Sequence, residues 1–308
     1  MIRPEYTPER IMTRTMQDQA AGLRGLAAFQ TNGSVRVITI AGGRTGVGKT
    51  SIVVNLAMEL AKNGKRVLII DENSRHNDVN TNLGLKAHYD LLHVINREKT
   101  LEQVVLQGPD NISVLSAVRG IHSLAKLNAT EQDWLINCFG RLTDMIDVVL
   151  VDTAMGGTSH VLPLSLASQQ VLIVLSGSAS SITKAYALIK IMSKEYAKQD
   201  FLVLVNKAES EHDAQAIFDN ISTVAHQYLS VSLNFIGYIQ NDEKLRRATQ
   251  LCKPVVKAFP AAQSTICFRQ LAENVLFSAC LDDYSGGVEN FMQRLIRTSH
   301  LDMANFTV

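Results

Sequence analysis

Eight residues constrain this chain more than any others: Gly43-Arg44-Thr45-Gly46-Val47-Gly48-Lys49-Thr50, which fit G-x-x-x-x-G-K-[ST]. They follow an apolar, β-branched run at residues 35–40 and open an amphipathic stretch at 51–61. Strand, glycine-rich turn and helix start, in that order, make a phosphate-binding loop. Glycine lets the backbone curl so that successive N–H groups aim at one phosphate. The following helix adds the positive end of its dipole. Lys49 supplies a point charge for the outer phosphates, and the Thr50 hydroxyl a ligand for Mg²⁺. Gly43, Thr45, Gly46, Val47, Gly48, Lys49, Thr50 and Ser51 are therefore the candidate nucleotide-binding residues.

The alternation continues along the chain. Residues 66–70, 112–115, 148–151, 171–175, 201–205 and 235–239 are short apolar runs, with helical stretches such as 184–192 between them. Strands that are apolar throughout are buried on both faces, which means a mostly parallel sheet covered by helices. The expected fold is α/β, a doubly wound, mostly parallel sheet with helices on both faces, of the P-loop NTPase kind. With 308 residues, one large or two small domains fit. A hydrophobic content of 46% with 19% charged residues excludes a disordered chain. Lys and Arg number 30 against 29 Asp and Glu, for a net charge of +1, so DNA is not an expected partner. The four cysteines, Cys138, Cys252, Cys267 and Cys280, form no CxxC and no His-paired spacing, against both a disulfide scaffold and a zinc site. The first ten residues carry charge and proline rather than an apolar core, so no secretory signal is expected. No apolar run approaches the ~18 residues of a membrane span, and the expected location is the cytoplasm.

Further polar residues fall at strand ends. Val148-Val149-Leu150-Val151-Asp152 has the form of a Walker B strand, which puts Asp152 beside Mg²⁺. Val67-Leu68-Ile69-Ile70-Asp71 is a second strand ending in Asp, one βα unit after the loop. Thr50, Asp152 and Asp71 are the candidate metal-side residues. Asn206 ends another strand, where its amide can pair with an adenine edge. Three segments follow from composition: an N-terminal stretch at 1–32 with a helical pattern over 11–29, a main domain at 33–283, and a tail at 284–308. In the tail, Val288, Phe291, Met292, Leu295 and Ile296 fall on one helical stripe, with Asn290, Gln293, Arg294 and Arg297 opposite.

These residues carry a resemblance. Ala41 to Thr50 followed by Asp71 and Asp152 is similar to the MinD/ParA class of P-loop ATPases, whose loop reads KGGxGK[ST]. Ser181-Ile182-Thr183-Lys184-Ala185-Tyr186-Ala187-Leu188-Ile189-Lys190 resembles the TSITDAYALIK stretch of the FlhG/FleN family of flagellar number regulators. Asp242-Glu243-Lys244-Leu245-Arg246-Arg247-Ala248 and Ala258-Phe259-Pro260 resemble that family's late blocks. Asp18-Gln19-Ala20-Ala21-Gly22-Leu23-Arg24 resembles its DQAxxLR motif. The resemblance spans about residues 16 to 297 and implies a switch that binds ATP or ADP with Mg²⁺ and forms a homodimer with ATP. It implies an FlhF-type GTPase partner at Gln19, Ala20, Leu23 and Arg24, and a σ54-type flagellar activator as a second partner. It also implies reversible attachment to the inner face of the membrane through Phe291, Met292, Leu295 and Ile296.

The departures bear on catalysis. The family's signature lysine falls at Arg44, whose planar fork differs in reach and geometry. The next family glycine is Thr45. Where the family reads DADxGLANVD, this chain reads Asp71-Glu72-Asn73-Ser74-Arg75-His76-Asn77-Asp78-Val79-Asn80, so the carboxylate that orients the attacking water falls on Asn73. Lys184 replaces an acid. Lys49, Asp71, Asn73 and Arg44 are thus the candidate catalytic set, with impaired hydrolysis expected and Asp78 or Glu72 as candidate replacements for the lost carboxylate. A non-cycling scaffold and a partition-type ATPase that binds DNA are the alternative readings.

Overall fold

The computed structural model describes residues 35–73, 78–153, 158–278 and 287–304, with side chains omitted at 158–161 and 301–304. The partner-binding expectation at Gln19, Ala20, Leu23 and Arg24 lies outside the described residues.

Eight strands form one sheet: β1 Arg36–Ala41, β2 Val67–Asp71, β3 Leu106–Gln107, β4 Ile112–Ser116, β5 Val148–Asp152, β6 Gln170–Leu175, β7 Asp200–Ala208 and β8 Ser232–Gln240. Their spatial order is β3-β4-β2-β5-β1-β6-β7-β8. Every pairing is parallel except β3 with β4. The seven apolar runs read from sequence are all strands. β3, only two residues long, has too little pattern to be read.

The longer helices are α1 Lys49–Lys62, α2 Ala129–Gly140, α3 Thr158–Ala167, α4 Ala179–Tyr196, α5 Glu211–Tyr228, α6 Glu243–Gln250, α7 Gln263–Phe277 and α8 Val288–Ala304. Successive strand residues point to opposite faces, so each strand feeds two cores. In β2, Val67 and Ile69 join a core with α1 and α7, while Leu68 and Ile70 join one with α2 and α8. A third core packs β6 and β7 against α4 and α5.

The tail is where the structure departs furthest from the sequence reading. α8 is amphipathic, as its stripe requires, yet that stripe is not presented to solvent. Phe291, Met292, Leu295 and Ile296 are each at most 3% exposed. They pack with Leu135 and Phe139 of α2 and with β5, and the helix lies along α2 and α3. Gly287, at its start, fits tightly against the Thr143 side chain. Residues 288–304 therefore belong to the same compact unit as the sheet. In this conformation these four side chains are covered by the core: periodicity shows that a face is apolar, not what covers it.

Candidate nucleotide site

Register does most of the assembly. β1, β5 and β2 lie side by side, with Ile40 opposite Asp152 and Asp152 opposite Asp71. The loop after β1 and both carboxylates thus share the carboxyl edge of the sheet, where α/β folds bind ligands. Positive φ falls on Gly46 (75°) and Gly48 (103°), not on Thr45. Thr45 occupies its family-glycine position with its backbone in the ordinary region, and its side chain is exposed. Gly43 passes so close to the Lys184 backbone that a Cβ there would collide with it. α1 begins at Lys49 with no side-chain cap and no acidic residue in its first turn. Its leading N–H groups are thereby left for an anion.

A cleft of about 180 Å³ opens over the loop, lined by Arg44, Gly46 to Ser51, Asn82 and Thr249. Asn82 and Thr249 come from distant segments and were not found from sequence, although Thr249 sits one residue past the block that carries the family resemblance. A second cavity of about 270 Å³ lies at the opposite edge, around the starts of β6 and β7, and holds none of the loop residues.

The metal-side residues are in contact. The Thr50 hydroxyl donates to Asp152 Oδ2 at 2.6 Å, and Asn73 Nδ2 donates to the same oxygen at 2.8 Å. Asp71 accepts the backbone N–H of Asn73 at 2.9 Å and of Val79 at 3.1 Å, which ties the β2 end to the chain that returns after it. Asp78 caps the short helix Val79–Leu83 through Thr81 N at 2.7 Å. Asp152 is fully buried, and its Oδ1 has no hydrogen-bond partner among the described residues. A buried carboxylate oxygen left unpaired is costly unless a cation or its water takes it. The donor set of Thr50 hydroxyl and Asp152 carboxylate therefore fits Mg²⁺, which would neutralise phosphate charge when bound.

Electrostatics agree. Burial pushes the Asp152 carboxyl up to about 6, against the pull of Thr50, Lys49 and Asn73. Burial and the neighbouring Asp152 charge hold Asp71 well above the usual carboxylate range. Burial lowers the Lys49 ammonium, opposed by Asp152 and Glu72.

Two expected residues have different partners. Asn206 Nδ2 donates to the Val47 carbonyl at 2.7 Å, and its Oδ1 accepts from Lys207 N. In this structure Asn206 thus ties the end of β7 to the phosphate loop. Lys207 follows at φ 62°, and its ammonium donates to Gly46 O at 3.0 Å. Arg44 donates to the hydroxyl of Ser178, the N-cap of α4, at 3.1 Å, so the signature-position cation rests on its own subunit.

The fold, the loop and the paired carboxylate ends can now be set beside known proteins. A family model described as an AAA domain matches residues 35–204. The antiactivator FleN of Pseudomonas aeruginosa is 35% identical over 263 residues, covering 85% of this chain and 94% of that protein. The chain belongs to the FlhG/FleN family of MinD/ParA-type P-loop ATPases. The flagellum site-determining protein YlxH of Helicobacter pylori is similar over 307 residues at 27% identity, covering 92% of this chain and 99% of YlxH. Among solved structures, the MinD cell division protein of Aquifex aeolicus superposes with a TM-score of 0.63 at 23% identity, over 80% of this chain and 98% of MinD. The MinD of Pyrococcus horikoshii, solved in complex with Mg-ADP, gives 0.61 at 23% identity, over 78% of this chain and 96% of that one. These likenesses establish the fold, and the FleN match places the chain within the family.

Proposed function

We propose that this chain is a nucleotide switch that regulates flagellar number and placement, binding Mg-ATP at the 43–50 loop and hydrolysing it slowly. The observation that carries the reading is the contact of Asn73 and Thr50 with one oxygen of Asp152. It supports an assembled metal side of the site in which an amide stands where the family places a carboxylate. An amide positions water but accepts no proton, and removing a general base typically slows reaction by about 10²–10⁴-fold. Lys49 would hold the outer phosphates, and the α1 N–H groups would orient them. Asn206 and Lys207 would keep the loop in register.

The regulatory part of the reading rests on similarity to FleN and YlxH, named for antiactivation and flagellum site determination. In it, the ATP-bound form pairs two copies face to face. The 18–24 segment engages an FlhF-type GTPase, the ATPase domain of a σ54-type activator is the second partner, and α8 reaches the inner face of the membrane. Arg44 is the residue that would leave Ser178 to meet the partner copy's phosphates.

Calorimetry with ATP and Mg²⁺, followed by single-turnover hydrolysis, tests the switch. The expected result is stoichiometric nucleotide uptake, slow turnover, and an increase of about 10²–10⁴-fold in Asn73→Asp. Absence of uptake removes the nucleotide reading, and an Asn73→Asp rate equal to wild type removes the account of slow hydrolysis.

A further inference from the structure

Consecutive residues of a strand point to opposite faces of the sheet. Asn206 and Lys207, near the end of β7, depart from that rule. Both side chains reach the same loop, the first at Val47 O and the second at Gly46 O. The cause is local. Lys207 has φ 62°, in the left-handed region that a residue with a Cβ rarely adopts. The β7–β8 register shifts at this point, with Asn206 opposite Ile239 and Ala208 opposite Gln240, so Lys207 is left out of the pairing. An extra residue of this kind is a bulge, and a bulge re-aims the side chain it carries. The Asn206 Oδ1 accepts from Lys207 N at 2.9 Å and holds the bulge in place. Burial does not account for the left-handed backbone, because the Lys207 side chain is exposed. What the bulge gains is a second donor on the loop, on the carbonyl next to the one that Asn206 holds.

The consequence follows from the peptide unit. A trans peptide is planar, and its C=O and N–H point in opposite directions. Drawing Gly46 O toward Lys207 turns the Val47 N–H away from β7. Drawing Val47 O toward Asn206 does the same for the Gly48 N–H. The cleft over the loop is lined by Gly46, Val47 and Gly48 and not by Asn206 or Lys207. Adjacent N–H groups turned to one side make a concavity for an anion. A Cβ on Gly48 would collide with the Asn206 amide, so the close approach from behind also requires that glycine.

Resting on the nucleotide-binding reading above, we infer that Lys207 is a positioning residue, which from its bulge holds the Gly46–Val47 peptide with the N–H toward the phosphates and so sets phosphate affinity without meeting the nucleotide. The hold exists before any ligand arrives. Donors fixed in advance bind without the further loss of freedom that ordering a mobile loop would bring.

Lys207→Met keeps the apolar stem and removes the donor. Lys207→Gly removes it too and relieves the left-handed backbone, so it guards against a Met variant that misfolds. Thermal melting confirms that each is folded. Two measurements on the full chain test the inference: calorimetry of ADP and of the imido analogue of ATP in Mg²⁺, and amide order parameters by NMR in the nucleotide-free protein. Both variants are expected to bind about tenfold more weakly. The Val47 amide is expected to fall from about 0.85, the value of a rigid backbone, to below about 0.6, with the strands unchanged. Wild-type affinity in either folded variant overturns the inference. So does weaker binding with Val47 still rigid, which would mean that Lys207 acts on the phosphates through its charge alone. Failure of the wild type to bind nucleotide would instead refute the reading on which the inference rests, and the order parameters would still report whether Lys207 holds the loop.

Discussion

At the scale of single residues, the site is held together by a carboxylate kept where carboxylates are uncomfortable. Asp152 sits at 0% exposure with its pKa raised to about 6, and Asp71 beside it is raised as well. Both shifts arise mainly from burial, and both mean that the folded metal-free protein holds protons which the unfolded chain releases at lower pH. Stability from such groups is present below the unfolded value near 3.8 and is lost as pH rises through the folded value. Other acids run the opposite way: Asp147 beside Arg66, and Asp242 at the start of α6 and α7, are lowered and favour the fold above their own range. A comparison of wild type with Asp152→Asn isolates the site. In EDTA, wild type is expected to lose stability relative to Asp152→Asn between about pH 4 and 7, by on the order of a few kcal/mol, and Mg-nucleotide should suppress the loss. Urea midpoints across that range read the difference, and parallel pH profiles for the two proteins would contradict it.

At the scale of elements, what was legible followed from how local the physics is. Strands buried on both faces announce themselves as apolar runs, so β1, β2 and β5 to β7 were readable; β4 and the edge strand β8 are only partly buried but carry enough apolar residues to be read as well, and so was the loop whose glycines need backbone freedom. Residues brought in by tertiary folding were not. Asn82 and Thr249 reach the cleft from other segments, and the bond from Asn206 to the Val47 carbonyl joins a strand end to a loop far from it in sequence. The same limit explains α8. Its stripe predicts a helix with one apolar side, but only the packing of α2 and α3 decides whether that side meets core or solvent. Because the stripe is buried, truncation should cost core energy. Leu295→Ala is expected to lower stability by about 2–5 kcal/mol in urea unfolding. Arg297→Ala, on the exposed side, should stay within about 0.5 kcal/mol. A Leu295→Ala effect as small as that of Arg297→Ala would mean that the helix is docked without contributing to the core.

At the scale of the whole molecule, burial of α8 changes what membrane attachment requires. Five apolar side chains, each contributing about 1.5–3 kcal/mol when buried, hold the helix against α2 and α3. A bilayer can take up the helix face, but it leaves Leu135, Phe139 and Leu164 uncovered on the groove that remains. Moving a two-state equilibrium from closed to open by 10⁴-fold needs about 5.5 kcal/mol of differential binding. One weak amphipathic helix does not supply that. Two copies presented together, as the proposed ATP-bound dimer would arrange, gain avidity toward one surface and cover part of the cost. Vesicle flotation should therefore show no attachment of the nucleotide-free protein and attachment with Mg²⁺ and the imido analogue of ATP. A staple separates release of the helix from any other cause. A Cβ at Gly140 on α2 would stand 3.9 Å from the Glu289 Cβ on α8, within disulfide range. Gly140→Cys combined with Glu289→Cys, oxidised, should bind nucleotide as the reduced protein does yet stay off vesicles, and reduction should restore attachment. Flotation of the oxidised pair at the wild-type level would show that the membrane contact lies somewhere other than α8.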